Sequence, residues 1–215
     1  MRLSLPRLRS GQSSLTALYD RAASGWQAGL ASLGFDAAYA TLCTSAKVGD
    51  KPIRALDAGC GTGALARAFA TRTVRPLTLD LLDPAPAMLD EATARLTDSG
   101  TPLGQVWCGL LEDPRVPEGA YSHVLCAHVI EHLDDPDPAL RWLRARLARG
   151  GQLVLAVSKP HWCTALVRWR WGNRAFRPAD VTARLTAAGF LGITTVPFPS
   201  GPPSRVSCGY VAHTP

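Results

Sequence analysis

The stretch RALDAGCGTGALARAF, residues 54–69, decides the fold. It begins as an apolar strand, turns at glycines 59, 61 and 63, and continues as a helix. Glycine has no Cβ, so a turn that contains it can be sharp and its backbone can approach a ligand closely. The first amide groups of the following helix then point toward that ligand. We therefore predict that this stretch is a cradle for a nucleotide-type cofactor.

Taken alone, the cradle leaves two cofactor classes open. Asp57 ends the strand beside the turn, and its carboxylate suits a cationic or hydroxyl-bearing ligand better than a bare pyrophosphate. However, GCGTGA (59–64) also matches the dinucleotide pattern of two glycines and a small third residue, so an NAD enzyme is an alternative. Asp83 ends the next predicted strand and could bind ribose hydroxyls with either cofactor. The choice therefore depends on residues outside the turn.

Strands and helices alternate along the chain beyond the cradle. The cradle helix is predicted from Thr62 to about Arg72. Further strands are predicted at 76–83, 104–108, 121–129 and 151–158, and helices at 85–96 and 138–148. This alternation predicts a doubly wound α/β domain with a mostly parallel sheet covered on both faces. A last helix at 178–188 precedes strands at 193–198 and 205–214, whose short connection makes them antiparallel neighbours.

The composition indicates one domain with added N-terminal helices. At 215 residues and 47% hydrophobic content, the chain can bury one sizeable core. We expect a flexible tail over 1–12, with a targeting segment as an alternative, a helical lid over 13–50 and the cofactor-binding domain over 51–215. The lid includes a predicted helix at 36–45.

The same composition bounds the location and the redox state. No apolar run reaches the roughly 18 to 20 residues that span a bilayer, so we expect a cytoplasmic protein without a membrane span. The six cysteines include no CxxC pair. We interpret them as reduced core residues and expect no metal site.

Three strings together carry a family resemblance: LDAGCGTG, LDLLDPAPAMLDEA and AHVIEHLDDPDPALRWLRARLARGGQLVLAV. They resemble the class I S-adenosylmethionine-dependent methyltransferases, the broad group that includes ubiquinone and menaquinone methyltransferases. The resemblance covers about residues 50–158, and its motifs are specific in combination. It implies a Rossmann-like, seven-stranded methyltransferase fold, with S-adenosylmethionine rather than NAD as the cofactor.

The resemblance also implies a role for each matching position. The methionine part of the cofactor would be surrounded by Asp57, Gly59, Cys60, Gly61 and Gly63. The other implied contacts are Asp83 with both ribose hydroxyls, Pro84 and Met88 near the adenine, His128 beside the sulfonium, and Tyr19 with Asp20 in an N-terminal lid.

One position departs from the family pattern. After the third strand the family usually has a glycine and an acidic residue, but this chain reads GLLED, with Leu110 in place of the carboxylate. We expect the backbone of Leu111 and the side chain of Glu112 to replace it near the adenine. The alternative is an ordinary loop with two apolar anchors.

HVIEH, residues 128–132, also matches the HxxEH signature of a class of zinc peptidases. Such a site needs a third, distant glutamate ligand, and no glutamate follows the motif. The segment is also predicted at a strand end rather than inside a long helix. We expect Glu131 and His132 to lie at the mouth of the acceptor site, where either could orient or deprotonate the acceptor. A helix start bonded to its own backbone is the alternative.

The segment from Arg141 to Arg177 contains nine cations and no acidic residue. Its part HWCTALVRWRWGNRAFR (161–177) interleaves three tryptophans and a phenylalanine with four arginines. In the methyltransferase fold this segment follows the fifth strand and lies over the reactive end of the cofactor, so it is our candidate for the acceptor pocket. Such residues also stack bases and bind RNA phosphates. A solvated arginine face, or a helix that packs its tryptophans on the core, would explain the same pattern.

We therefore expect methyl transfer to a small organic acceptor, such as a quinone, phenol, lipid or amine. A lipid-like or anionic acceptor would suit the aromatic, basic segment. The proton step has four candidates: His128, His132, Glu131 and His161. An RNA methyltransferase and a non-catalytic binding module of the same fold are the alternatives, and the sequence leaves the oligomeric state open.

Overall fold

A computed structural model describes residues 33–161 and 174–215. The α-helices in these ranges are α1 (Phe35–Ser45), α2 (Ala64–Arg72), α3 (Pro86–Asp98), α4 (Asp137–Arg146), α5 (Pro178–Ala187) and α6 (Gly201–Val206). The strands are β1 (Ile53–Ala58), β2 (Leu77–Asp83), β3 (Leu103–Cys108), β4 (Tyr121–Ala127), β5 (Leu147–Ser158), β6 (Leu191–Val196) and β7 (Ser207–His213). A short 3₁₀ helix, Ile130–His132, follows β4.

The seven strands form one sheet in the order β3-β2-β1-β4-β5-β7-β6. Strands β1 to β5 pair in parallel, whereas β7 runs antiparallel to both β5 and β6. The prediction of a mostly parallel sheet with an antiparallel pair at its end is therefore confirmed. Because β1 lies between β2 and β4, the strand order reverses there, and ligands of such sheets bind at the carboxyl ends of these strands.

Helices cover both faces of the sheet, as the doubly wound prediction requires. On one face α1, α2 and α3 bury Leu42, Phe69 and Leu96 against the strands. On the other face α4 and α5 bury residues such as Leu143 and Leu185. The helix α1 belongs to the packed core, because it lies directly against α2 and β7.

The structure corrects four predicted boundaries, each for a local reason. The cradle helix begins at Ala64 rather than Thr62, because Gly63 before it has a left-handed backbone. Strand β4 ends at Ala127 rather than 129, because His128 has a φ of 57°. Strand β5 begins at Leu147, so the preceding helix ends at Arg146, two residues earlier than predicted. The predicted loop before β7 contains the short helix α6.

The cysteine interpretation is correct for most described positions and wrong for one. Cys43, Cys60, Cys126 and Cys208 are buried and free. Cys108 is exposed, because it ends β3 at the edge of the sheet.

The described part of the basic segment uses several of its cations within the fold. Arg144 donates from Nε to the carbonyl oxygen of Gly189 at 3.0 Å. Arg146 is 4% exposed and binds the carbonyl oxygen of Val116. These arginines are therefore structural, and the tryptophan-rich residues 162–173 lie outside the described ranges.

Within the described ranges, no helix has the length and apolar content that crossing a membrane requires.

Candidate active site

The cradle turn is fixed to the neighbouring strand by its own backbone. The amides of Gly59 and Cys60 both donate to the carbonyl oxygen of Leu82, at 2.7 and 3.1 Å. The side chain of Cys60 is buried in the turn, with its thiol 3.6 Å from the carbonyl oxygen of Gly61. The turn is thus held at the carboxyl ends of β1 and β2.

The three cradle glycines serve different purposes, although all have positive φ angles. A Cβ on Gly59 would lie 2.3 Å from Cγ2 of Val129, so the turn packs closely on the chain after β4. A Cβ on Gly63 would lie 3.2 Å from Cβ of Ala92, which allows α2 to approach α3. A Cβ on Gly61 would meet no atom of the described residues within 4 Å. Gly61 therefore marks the open side of the cradle.

Asp83 joins the cradle to the next loop. One carboxylate oxygen accepts from the amide of Gly61 at 2.8 Å, and the other accepts from the amide of Ala85 at 2.9 Å. A carboxylate has about four lone-pair sites, so each of its oxygens can accept more than one hydrogen bond. The residue is 8% exposed.

Asp57 is buried, and neither of its carboxylate oxygens has a hydrogen-bond partner among the described residues. Burial raises its pKa to about 7. The nearby backbone amide of Ala66 acts to lower the pKa, although it makes no hydrogen bond by distance and angle. The charge of Asp83 acts to raise the pKa further. Buried polar groups in native proteins are nearly always satisfied, so an unpartnered carboxylate indicates a place for a ligand. A cationic or hydrogen-bond-donating group would satisfy it.

The chain after β4 contains a second polar cluster. Nδ1 of His128 lies 3.0 Å from Oε1 of Glu131 and 3.2 Å from Oγ of Ser158. The amide of Ser158 donates to the same Oε1 at 2.6 Å. Nε2 of His128 and Oε2 of Glu131 are buried without a partner among the described residues. Like Asp57, this cluster offers unsatisfied polar atoms at the carboxyl edge of the sheet.

Burial and hydrogen bonding oppose each other at Glu131. Burial acts to raise its pKa, but the hydrogen bond and charge of His128, with the amide of Ser158, bring the pKa below its ordinary value. Glu131 is therefore ionised at neutral pH. Burial lowers the pKa of His132, which favours its neutral form.

Two aromatic residues of α1 line this cluster, and the sequence prediction missed both. The ring of Phe35 lies edge-on to the His128 ring, with the centroids 5.5 Å apart, and the Tyr39 ring lies 6.4 Å away. Burial, followed by the charges of Glu131 and Asp57, raises the pKa of Tyr39. Neither residue belongs to a motif in the sequence, and both are buried.

The residues predicted near the adenine lie next to the cradle. Pro84 and Ala85 follow Asp83 directly, and Met88 is 1% exposed in the first turn of α3, where it packs on Ala85. Leu111 is half-buried against the apolar core, whereas Glu112 is exposed with a φ of 69°.

The loop after β3 contains a carboxylate that the sequence prediction missed. Oδ2 of Asp113 would lie 2.3 Å from a Cβ on Gly109, and the amide of Gly109 donates to the carbonyl oxygen of Asp83 at 3.0 Å. Arg115 donates to this carboxylate from Nε and from Nη2. The hydrogen bond from Arg115 lowers the pKa of Asp113. The DxR spacing after the strand was the available signal.

The remaining predicted residues are placed as follows. His132 ends the 3₁₀ helix and is half-buried, and His161 is half-buried three residues beyond β5. Tyr19 and Asp20 lie outside the described residues. HVIEH begins directly after β4 and ends with the 3₁₀ helix, so the prediction that it lies at a strand end rather than inside a long helix is confirmed. In the described part of the chain, no group of three or more His, Cys, Asp or Glu side chains is arranged to hold a metal ion.

Known proteins with similar sequences are methyltransferases. The methyltransferase tpcH of Aspergillus fumigatus is 28% identical over 176 residues, which cover 70% of this chain and 62% of that protein. The ubiquinone biosynthesis O-methyltransferase of Chromobacterium violaceum is 33% identical over 106 residues, covering 48% of this chain and 44% of that protein. The chain thus spans less than two thirds of the length of these two curated relatives.

Solved structures share the fold. A SAM-dependent methyltransferase of Thermotoga maritima superposes with a TM-score of 0.72 at 16% identity, covering 94% of this chain and all of that chain. A chain from the complex of the Haloferax volcanii Trm112 methyltransferase activator with a methyltransferase has a TM-score of 0.71 at 17% identity, covering 92% of this chain and 97% of its own.

The family assignment rests on the match of a whole-domain model. The model of the family described as a methyltransferase domain matches residues 36–192, which is most of the chain. The resemblance to class I S-adenosylmethionine-dependent methyltransferases is thereby confirmed, and this chain belongs to the methyltransferase-domain family.

Proposed function

We propose that this protein binds S-adenosylmethionine and transfers its methyl group to a small organic acceptor. One observation carries the proposal: the Asp57 carboxylate is buried beside the cradle without a hydrogen-bond partner among the described residues. Burying such a group costs about 1 to 3 kcal/mol, so Asp57 without a ligand destabilises the fold. A ligand with an ammonium group removes that cost.

The residues of the site fit the different parts of this cofactor. Asp57 would accept from the ammonium group of the methionine part, next to the open side of Gly61. Asp83 would accept from the two ribose hydroxyls, because each carboxylate oxygen can take more than one hydrogen bond. Pro84 and Leu111 are half-buried and offer apolar surface for the adenine, and buried Met88 would support it from the first turn of α3.

Three further predictions for the cofactor site join the proposal. Cys60 would support the turn that surrounds the methionine part. Exposed Glu112 would bind the adenine amino group, or Asp113 would do so after leaving Arg115. Tyr19 of the N-terminal segment would close the site.

When bound, S-adenosylmethionine supplies a methyl group on a sulfonium, which is already a good leaving group. The protein then has to align the acceptor with the methyl carbon, exclude water and, for some acceptors, remove a proton. The polar cluster of His128, Glu131 and Ser158 lies at the carboxyl edge where that step would occur. His132 and His161 remain further candidates for the proton step.

The contacts made by the basic segment favour a small acceptor over RNA. Arg144 and Arg146 bind the protein's own carbonyl groups, so they are not free for phosphates. The curated relatives named above include an O-methyltransferase of ubiquinone biosynthesis. We propose a cytoplasmic enzyme with a small-molecule acceptor that is apolar or anionic.

Calorimetric titration tests the cofactor assignment. S-adenosylmethionine is titrated into wild type, into Asp83→Ala and into the matched control Asp90→Ala, which removes an exposed carboxylate of α3 from the same region. Loss of hydrogen bonds to a charged group corresponds to about a 10- to 100-fold lower affinity in Asp83→Ala.

Asp90→Ala should bind like wild type. An unchanged affinity in Asp83→Ala, or binding of NAD instead of S-adenosylmethionine by wild type, would contradict the assignment. A protein that binds the cofactor but labels no acceptor would be the binding module considered as an alternative.

A further inference from the structure

The hydrogen bonds of the polar cluster fix which nitrogen of His128 holds a proton. Oε1 of Glu131 accepts from the amide of Ser158 at 2.6 Å and lies 3.0 Å from Nδ1 of His128. An ionised carboxylate can only accept hydrogen bonds. Nδ1 is therefore the donor, and in the neutral imidazole Nε2 carries the lone pair.

The burial of Nε2 and the backbone conformation of His128 both indicate a functional position. Nε2 is buried without a partner among the described residues, although the side chain as a whole is 23% exposed. The backbone of His128 has a φ of 57°, a left-handed conformation that costs a non-glycine residue free energy and is concentrated at functional sites. Its neighbour Val129 packs under Gly59 of the cradle.

We propose that, in the methyl transfer on which this inference rests, Nε2 of His128 removes the proton from a neutral hydroxyl group of the acceptor. His128 is then a catalytic residue. Glu131 is a positioning residue, because it holds Nδ1 protonated and stabilises the imidazolium that forms, as a carboxylate does for a catalytic histidine in other enzymes.

The step balances without a further reactant. The acceptor oxygen forms a bond to the methyl carbon while the methyl–sulfur bond breaks and its electron pair stays on sulfur. The O–H bond breaks, and its proton passes to Nε2. The products are a methyl ether and a neutral thioether, and the imidazolium afterwards returns its proton to water.

A hydroxyl group is the acceptor that needs this arrangement most. A phenol titrates near pH 10, so it is almost entirely protonated at neutral pH and gains from a base. A thiol titrates at about 8.5 and ionises more readily, and a neutral amine attacks through its lone pair before it loses a proton. The rings of Phe35 and Tyr39 beside His128 suit a hydroxyl carried on an aromatic ring.

Other titratable groups surround this pair and have to be considered in any pH profile. His132 follows on the 3₁₀ helix, and its pKa is lowered first by burial. Tyr39 on α1 and Tyr210 on β7 both have raised pKa values, owing first to burial and in part to the charge of Glu131. Asp57 on β1 influences Tyr39 in the same direction.

Nuclear magnetic resonance of the full protein with ¹⁵N-labelled histidine tests the tautomer directly, with His128→Gln used to assign the signal. We expect a protonated Nδ1 and an unprotonated Nε2 at neutral pH. The opposite tautomer would overturn the proposal. Calorimetry with S-adenosylmethionine is run on the same samples, so that failure of cofactor binding is recognised as failure of the proposed function instead.

Label transfer tests the acceptor class and the two roles. The methyl-labelled cofactor is incubated with a small-molecule cell extract, and labelled products are identified by mass spectrometry. We expect the label in a methyl ether, with a rate roughly 100-fold lower or more in His128→Gln. Label on carbon, or no labelled product while the cofactor binds, would overturn the proposal.

The pH profile separates a positioning role for Glu131 from a structural one. The wild-type rate should fall as the pH is lowered, because protonated His128 cannot accept a proton. In Glu131→Gln that acid limb should move to lower pH, since the carboxylate no longer favours the imidazolium, and the plateau should drop about 10- to 100-fold.

The matched control Glu118→Gln makes the same exchange at an exposed side chain before β4, outside the polar cluster, and should leave the limb in place. A Glu131→Gln protein with a lower melting temperature and an unmoved limb would show a structural role only.

Discussion

Two carboxylates lie buried on neighbouring central strands, and they are held in opposite ways. Asp80 on β2 is fully buried and has three donors: the guanidinium of Arg54, the hydroxyl of Tyr121 and the amide of Gln105, each at 2.8 Å. Asp57 on β1 is just as buried and has no hydrogen-bond partner among the described residues.

The contrast distinguishes a carboxylate that stabilises the fold from one that we propose binds a ligand. A buried charge is tolerated when it is paired and hydrogen-bonded. Asp80 meets that condition within the protein, and the absence of a side chain on Gly104 makes room for it, since a Cβ there would lie 2.1 Å from Oδ1. Asp57 does not meet it among the described residues, and under the proposed function the cofactor supplies the donors.

Removing the satisfied carboxylate should have the largest effect on stability. Asp80→Ala leaves the buried hydroxyl of Tyr121 and the amide of Gln105 without their acceptor. We expect the free energy of unfolding to fall by about 3 to 4 kcal/mol, because three hydrogen bonds worth about 1 kcal/mol or more each are lost. The charge of Arg54 adds little, since its side chain is 45% exposed. Urea unfolding measures it.

A milder variant of the same network serves as its control. Tyr121→Phe removes one of the three donors and should cost about 1 kcal/mol. An Asp80→Ala protein as stable as wild type would remove the distinction between the two carboxylates.

Removing the unsatisfied carboxylate should change the free energy of unfolding in the opposite direction. Asp57→Asn abolishes a buried charge without breaking a hydrogen bond between described residues. We expect the ligand-free protein to gain about 1 to 3 kcal/mol in its free energy of unfolding, measured in urea at pH 8. A loss of stability would mean that Asp57 serves the fold, like Asp80.

The gain from Asp57→Asn should depend on pH. The pKa of Asp57 is about 7 in the folded protein and near 4 in the unfolded chain, so the folded state holds the extra proton between these values. The favourable contribution of protonated Asp57 is therefore fully present below about pH 4 and is lost as the pH rises through 7. The stability difference between variant and wild type should grow from pH 5 to pH 8, and a constant difference would contradict the pKa shift.

The sequence predicts the cradle well and the state of its carboxylates poorly. Glycines after an apolar strand predict the turn, because only glycine adopts its backbone angles easily, and strand alternation predicts the parallel sheet. Asp80 and Asp83 lie in one short string, LDLLD, and only the pairing of distant strands shows that the first is structural. The donors of Asp80 come from residues 54, 105 and 121, which no local pattern brings together.

The reactive end of the site shows the same limit. The prediction that His128 lies at a strand end is supported by β4, which ends one residue earlier. Its bond to Glu131 could not be foreseen, because it depends on the left-handed backbone of His128. Phe35 and Tyr39 were missed because neither belongs to a motif in the sequence.

The most direct test of the central claim is thermal unfolding of wild type and Asp57→Asn, with and without saturating S-adenosylmethionine. If Asp57 is held for the cofactor, the variant melts higher than wild type alone and gains much less from the cofactor, because stabilisation by a ligand follows its affinity. If both proteins gain equally from S-adenosylmethionine, or if the variant melts lower without it, Asp57 is not the cofactor's carboxylate and the account is wrong.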